Sequence, residues 1–502
     1  RRATMLTPSI GYLILLIFGV GFTFITAVLH RMDLKRHGNE MTAERFNTAG
    51  RSVGVGLASS SIVAAWTWAA TIMMSSSAGY QYGISGPFWY ASGATIQILL
   101  FAIIAIHLKQ KAPQAHTFLE FIAQRFDKKN HRLMLGFALM TNIIVTSMII
   151  LGGAITLNQL TGMNLYLAAF LIPLSFTIYT MIGGLKASFI ADYLHTVILF
   201  VVLAVLGIAI YYKFGITSIY EGLRSLPESK QMLTMASIPG LMFGIINIIG
   251  NFGTVFVDQA YWQRAIASTD QAASKAFIYG GIAWFSIPFA VATILGVSAA
   301  GLGISVPSPD SVAPIMASYA FGTAGSILFL IMLFMAVTSA GSAELTAVTN
   351  ILVTDVYRHS FNPRADSDTL LRVSRWITLG FGLAMGVFSI LLFHLGISLG
   401  FVYMAMGIFV SSAVIPVALG EGAFYGTLLG MIGGILVWIF SAYAYAGQVN
   451  VASLGQLYPM LFGNLAVFII SGIITIGHSL ISSTEFHFES LQDKFKSFDE
   501  IA

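Results

Sequence analysis

Along this chain, apolar runs alternate with short polar and mostly basic segments. A hydrocarbon core of roughly 30 Å takes about 20 helical residues to cross. Thirteen stretches reach that length: 8–30, 53–78, 84–108, 132–157, 163–183, 190–213, 239–262, 275–302, 323–350, 371–394, 396–419, 422–446 and 457–480. Charge placement agrees with this count. With the N-terminus outside, nearly all of the 25 Lys and Arg fall on inner segments, leaving Arg1, Arg2, Lys213, Arg224 and Lys230 outside. Positive residues gather on the inner side of membrane proteins, so the pattern predicts the N-terminus outside and the C-terminus in the cytoplasm.

Spans two to eleven form ten helices that divide into five and five, over 53–213 and 239–419. An odd number of spans per half forces the second half to be inverted. The first helix of each half carries an interruption, "GLASSSIVAA" (56–65) in one and "INIIGNFGTVFVDQ" (246–259), with Gly250, Asn251 and Gly253, in the other. Matched interruptions of this kind point to the midplane site of a secondary transporter, although Gly and Ser also serve plain helix packing. Just after the first interruption stands "IVAAWTWAAT" (62–71). Tryptophan favours the membrane interfaces, yet Trp66 and Trp68 fall far from both. On a regular helix they point about 200° apart, so both face one pocket only if the helix is broken there.

Composition narrows the class. Hydrophobic residues make up 57% of the chain and charged residues 9%, against about 25% charged in soluble domains; mean hydropathy is +0.82. A soluble protein is excluded, and a net charge of +4 spread over loops does not point to nucleic acid. The absence of cysteine excludes disulfides and thiolate metal sites. The start at Arg1-Arg2, without a methionine, suggests a trimmed chain. No nucleophile–base constellation or H-E-x-x-H metal cluster appears, so an enzyme is not expected.

Three stretches, "GGLKASFIADYLHTVILF" (183–200), "DQAYWQRAIAS" (258–268) and "AVTSAGSAELTAVTNILVTDVY" (336–357), resemble the sodium/solute symporter family. Two more, "SGPFWYASGATIQILLF" (85–101) and "GNFGTVFVDQAYWQR" (250–264), resemble its urea-transporting branch, the plant and fungal urea/proton symporters. The resemblance implies an all-α polytopic membrane protein with a five-plus-five inverted-repeat core of the leucine-transporter type. Its expected parts are an extra N-terminal helix and inner loop (1–52), repeats at 53–213 and 239–419, an outer loop (214–238), two further C-terminal helices (420–480) and a cytoplasmic tail (481–502). It implies urea and the lipid bilayer as partners, a plasma-membrane location and no cofactor beyond a coupling ion. Oligomeric state is left open.

The same resemblance assigns candidate residues. Substrate contacts are expected at Trp66, Thr67, Trp68, Trp89, Tyr90, Asn251, Thr254 and Asp258. The family's sodium site matches carbonyls of Ser60, Val63 and Ala336 and the hydroxyl of Ser339. Ala340 stands where the family commonly has Ser or Thr, which thins the oxygen set and favours a proton over sodium as the coupling ion. No other metal site is expected. Proton-pathway candidates are Asp192, His195 and Glu344. Asp192 has a second reading, as a group near the span's inner end that reaches water or a salt bridge, and Glu344 has one as a tie between helices. The loop "SVPSPDSVAP" (305–314) is a candidate lid. Two alternatives to a proton-coupled urea importer remain: a sodium-coupled or polyamine symporter of the same fold, and a transporter-like sensor.

Overall fold

The computed structural model describes residues 6–37, 41–419, 423–482, 491 and 494–500. Among them the structure is helical almost throughout, and the one strand-like pairing is an isolated bridge between Val53 and Ser268. The long helices are α1 (Pro8–Met32), α2 (Val55–Trp66), α3 (Ala69–Tyr82), α4 (Ser85–Lys111), α5 (Lys128–Thr161), α6 (Leu165–Phe214) and α7 (Ile238–Phe256). They continue as α8 (Gln259–Ala267), α9 (Asp270–Gly301), α10 (Val312–Ile351), α11 (Ser367–His394), α12 (Leu399–Val417), α13 (Ala423–Ala446) and α14 (Leu457–Ile481).

Eleven of these helices are long and apolar enough to cross a membrane, and α2 with α3 make a broken twelfth, bent by 61°. At 1.5 Å per residue, a straight α6 would run about 75 Å, more than twice the hydrocarbon core. It does not run straight: Gly184 sits at φ 59°, ψ −150° and folds α6 into two crossings. A similar kink lies within α10 at Gly322, φ 57° and ψ −131°. Gly83, at φ 61°, makes the equivalent turn between α3 and α4. Both turns exclude a side chain, because a Cβ would meet the Met232 carbonyl oxygen at 2.0 Å at Gly83 and the Phe46 carbonyl oxygen at 2.6 Å at Gly184.

The positions of the helix breaks correct the sequence reading. The hydroxyl-rich 56–65 stretch lies inside a continuous α2, and the first break falls after it, at Thr67 and Trp68. Gly250, Asn251 and Gly253 lie inside a continuous α7, which breaks later, at Val257–Asp258. The two glycines serve packing against α12: a Cβ at Gly250 would meet Met406, and one at Gly253 would meet Val410 and Ser411.

At the end of the bundle rich in Lys and Arg, a buried polar knot closes the ends of several helices. Glu44, on the short helix Ala43–Thr48, accepts hydrogen bonds from Thr48 Oγ1 (3.1 Å), Arg51 Nε (3.2 Å) and the Phe498 backbone N–H (3.1 Å). His116 Nε2 lies 2.7 Å from its other side. Arg51, itself in the left-handed region at φ 53°, donates to the carbonyls of Pro113, Gln114 and Ala115. Such a conformation costs a non-glycine residue about 1–2 kcal/mol, which these charge-assisted bonds offset. Burial alone would push the Glu44 pKa up, but His116 and Arg51 outweigh it and hold the carboxyl well below the usual range. Burial likewise opposes a charge on His116, and the carboxylates of Glu44 and Glu120 outweigh it, holding the imidazole above its ordinary value.

The sign for stability follows from linkage. The His116 contribution is complete below the unfolded value of about 6.5 and is lost as pH rises through the raised folded value. The Glu44 contribution is lost only as pH falls below the ordinary carboxylate range. Melting of the purified protein in detergent, followed across neutral and alkaline pH, is therefore expected to show stability declining on the alkaline side. His116→Gln is expected to flatten that decline and to lower stability throughout, by about 3 kcal/mol for a broken buried pair.

Candidate substrate and ion site

In hydrocarbon no water is present to satisfy the four orphan carbonyls at a helix C-terminus. At the end of α2 all four have partners. Val63 accepts from the Thr67 hydroxyl at 2.7 Å, and Ala64 from the Thr67 backbone N–H at 3.3 Å and the Ser339 hydroxyl at 3.2 Å. Ala65 accepts from the Trp68 indole at 2.9 Å, and Trp66 from the Thr71 hydroxyl at 3.2 Å. Thr71 also accepts from the Trp68 backbone N–H at 3.0 Å, so one hydroxyl spans the break. The second break is closed in the same manner, with the Trp262 indole donating to the Phe256 carbonyl at 2.9 Å.

The break brings the two tryptophans together. Their rings meet edge to face with centroids 4.8 Å apart, and Trp66 also packs against Tyr261 at 5.1 Å and Trp284 at 5.8 Å. The Trp66 indole donates to the Ala94 carbonyl of α4 at 2.8 Å. Tyr90, one turn away on α4, reaches the Ala70 carbonyl just past the break at 3.4 Å. Trp66, Thr67, Trp68, Tyr90 and Tyr261 are all buried and lie about the α2–α3 break. Thr67 spends its hydrogen on Val63, which leaves its hydroxyl oxygen with acceptor capacity only.

Not every expected contact joins them. Trp89 precedes Tyr90 by one residue and so points about 100° away. Its indole donates to the Met235 carbonyl at 2.8 Å in the loop before α7, apart from the aromatic centre. Asn251 donates to Asn247, its neighbour one turn back, and the Thr254 hydroxyl to the Gly250 carbonyl. Asn247 ties three helices: it donates to the Tyr90 carbonyl and accepts from the Tyr403 hydroxyl at 2.5 Å, while Tyr403 stacks on Tyr90 at 5.6 Å.

Each of the expected ion-site oxygens on α2 is engaged within the protein. The Ser60 carbonyl accepts from Thr196 and the Val63 carbonyl from Thr67, and the α2 carbonyl that meets Ser339 is that of Ala64. Ser339 also donates within α10, to the Met335 and Ala336 carbonyls at 2.7 and 3.1 Å. Position 340 adds no oxygen. Thr338 turns away to donate to the Phe334 carbonyl, with His195 Nε2 3.3 Å from its hydroxyl.

The acids are all buried and all engaged. Asp192 Oδ2 accepts from the Ser61 hydroxyl at 2.6 Å and from Arg264 of α8 at 3.4 Å, both members of the ion pair having no exposed side-chain surface. Of the second reading of Asp192, water or a salt bridge, the structure shows the salt bridge, buried away from the surface. His195 shares its helix but not its partners, lying against Thr338 and the Phe22 ring of α1 at 4.5 Å. Asp258 caps α8 by accepting from the Ala260 N–H at 2.8 Å. The Asn142 amide of α5 donates both to Asp258 at 2.9 Å and to Glu344 of α10 at 2.6 Å. Asn142, Tyr261, Trp284 and Arg264 are the residues that sequence reasoning passed over. A lone amide inside the apolar run 132–157 was the available signal, since a buried amide in a span requires a partner.

Compared with known proteins, residues 46–434 match the sodium:solute symporter family. The chain is 43% identical to the urea-proton symporter DUR3 of Oryza sativa subsp. japonica, over 99% of this chain and 74% of that protein. It is 39% identical to probable urea active transporter 1 of Schizosaccharomyces pombe, over 98% and 79% of the two chains. The Saccharomyces cerevisiae urea active transporter is 37% identical over 97% and 71%. Among solved structures, a Na+-coupled sialic acid symporter in a substrate-bound outward-open state superposes with a TM-score of 0.70 at 16% identity, covering 94% of this chain and 98% of that one. That likeness extends to the fold, a leucine-transporter-type core with one helix added before it and two after. On the family match over residues 46–434 and on relatives aligned over nearly all of this chain and about three quarters of their own length, the chain belongs to the sodium:solute symporter family.

Proposed function

We propose that this protein imports urea by alternating access, coupled to inward movement of a proton. The observation that carries the reading is the aromatic centre at the α2–α3 break, taken with the urea transport named for three relatives at 37–43% identity. Urea is small and planar, with four N–H donors and one carbonyl acceptor. Flat walls from Trp66, Trp68 and Tyr90 suit its faces. The Thr67 hydroxyl, available as an acceptor, suits an N–H edge. Tyr261, whose buried hydroxyl has no hydrogen-bond partner, suits its carbonyl. Asn251 and Thr254 serve beside this slot, and Trp89 supports α4 from outside it. On this reading the repeats 53–213 and 239–419 rock against one another, with the N-terminus outside and the Lys- and Arg-rich end in the cytoplasm.

Energetics favour a coupling ion. Urea is neutral, so a membrane potential does not concentrate it directly. One cation moving inward gains about 2.3 kcal/mol per 100 mV. At about 1.4 kcal/mol per tenfold, that supports roughly fortyfold accumulation per 100 mV. A proton needs only a titratable side chain, whereas sodium requires several hard oxygens, and the set at Ser339 and Ala64 is thin.

Radiolabelled urea uptake into proteoliposomes tests this directly. A proton gradient alone is expected to drive accumulation, and a sodium gradient alone is not. Ser339→Ala is expected to leave proton-driven uptake within about fivefold, since one hydroxyl shared between α10 and the end of α2 contributes about 1 kcal/mol. Uptake that requires sodium would replace this reading with a sodium symporter, and urea binding without flux would replace it with a sensor. Trp68→Phe removes the Ala65 cap and alters the aromatic edge, together about 2 kcal/mol, so urea's KM is expected to rise about thirtyfold.

A further inference from the structure

Two carboxyl groups meet at the second helix break. Asp258, at the start of α8, and Glu344, in the middle of α10, are at most 1% exposed. Both accept from the single side-chain nitrogen of Asn142, at 2.9 and 2.6 Å, and each lies within hydrogen-bonding reach of the other. Small residues make this approach possible: Ala65 of α2, Ala260 of α8 and Ala343 and Ala347 of α10 pack together in one cluster. Asp258 Oδ2, Glu344 Oε1 and Asn142 Oδ1 make no hydrogen bond to protein groups of fixed protonation, and neither does the Tyr261 hydroxyl, buried one turn along α8. Tyr261 lies against Trp66, so the carboxyl pair adjoins the aromatic centre.

Charge accounting shows what the pair requires. Two ionised carboxyls in hydrogen-bond contact within a membrane repel each other, and one amide nitrogen does not neutralise them. Arg264, on α8, acts electrostatically on both, but its guanidinium is already paired with Asp192 of α6. Tyr261 is the other titratable group facing the pair. Among the described contacts, α2 presents only apolar and aromatic groups there, and α5 presents Asn142. A hydrogen between the two carboxyls completes the arrangement.

We propose that Asp258 and Glu344 together bind the coupling proton, with Asn142 as the positioning residue, and that the bound proton fastens α8 to α5 and α10. The inference rests on the proton-coupled urea reading above. Loading forms one carboxyl O–H bond, which donates to the other carboxylate, and takes the pair from two negative charges to one. Unloading breaks that O–H bond, and the proton passes to water on the cytoplasmic side. The two like charges that remain push Asp258 away from Glu344 and free the α8 half of the broken helix to move. Because Asp258 also caps α8 beside Tyr261 and Trp66, proton loading and urea binding act on the same hinge. The titrating unit is the pair, so its protonation belongs to neither residue alone.

The test compares net uptake with urea–urea counterflow in proteoliposomes. Glu344→Gln keeps the hydrogen bonding of a permanently protonated group, and Asp258→Asn keeps a good helix cap. In both, proton-driven accumulation is expected to fall from roughly fortyfold per 100 mV to none while counterflow stays measurable. Their counterflow is also expected to lose its dependence on pH. If wild type accumulates urea on a proton gradient and both variants still do, with an unchanged pH profile, the carboxyl pair is not the proton site. If wild type itself shows no proton-driven accumulation, the proton reading falls and this inference falls with it. If neither variant assembles, wild type decides by infrared difference spectroscopy across a pH step. A buried protonated-carboxyl band that moves in Asn142→Ser is expected, and its absence overturns the proposal.

Discussion

A backbone carbonyl in hydrocarbon has no water to turn to, and a helix broken at the middle of a membrane leaves four of them bare. The centre of this protein is organised by that constraint. At the end of α2, Thr67, Trp68, Thr71 and Ser339 each supply a donor to one of the last four carbonyls. The same indoles and hydroxyls that close the backbone therefore form the walls of the central cluster. A tryptophan far from either interface is economical here because its N–H replaces water while its ring fills the gap the break opens. Trp262 repeats the device at Phe256.

The second organising element is α8, the short half-helix after the second break. It is held by charge on both flanks. Arg264 joins it to Asp192 of α6 and to Ser61 of α2, and Asp258 joins it through Asn142 to α5 and α10. A buried ion pair adds little net stability, because desolvation consumes most of the Coulombic gain, but losing one partner is costly. Such contacts fix position more than they stabilise. They make α8 a segment whose place is set by electrostatics, next to the aromatic cluster at the first break.

Sequence reasoning reached the architecture because membrane thickness and charge asymmetry are one-dimensional constraints. Thirteen crossings and a matched pair of broken first helices can be read along a line. It reached the existence of the breaks but not their positions. In both halves the Gly- and Ser-rich residues lie inside unbroken helix, and the chain broke at the following Thr67 and Val257, where side chains were at hand to cap it. Trp89 and Tyr90 show the limit at single-residue scale: adjacent on one helix, one reaches an outlying loop and the other the centre.

By itself, then, the sequence determined that the chain crosses a bilayer many times, that its halves are related by inversion, and that acids and aromatics lie within the crossings. Those features follow from hydropathy and charge, which each residue carries wherever it is placed. Only the tertiary structure decided the partnerships. Asp192 meets Arg264 across 72 positions, Asn142 meets Glu344 across 202, and Ser339 meets Ala64 across 275. Whether a buried acid is an ion pair, a helix cap or half of a proton-sharing pair depends on which group stands opposite. That is set by how helices distant in the chain pack, because at the low dielectric of the bundle only close neighbours balance a charge.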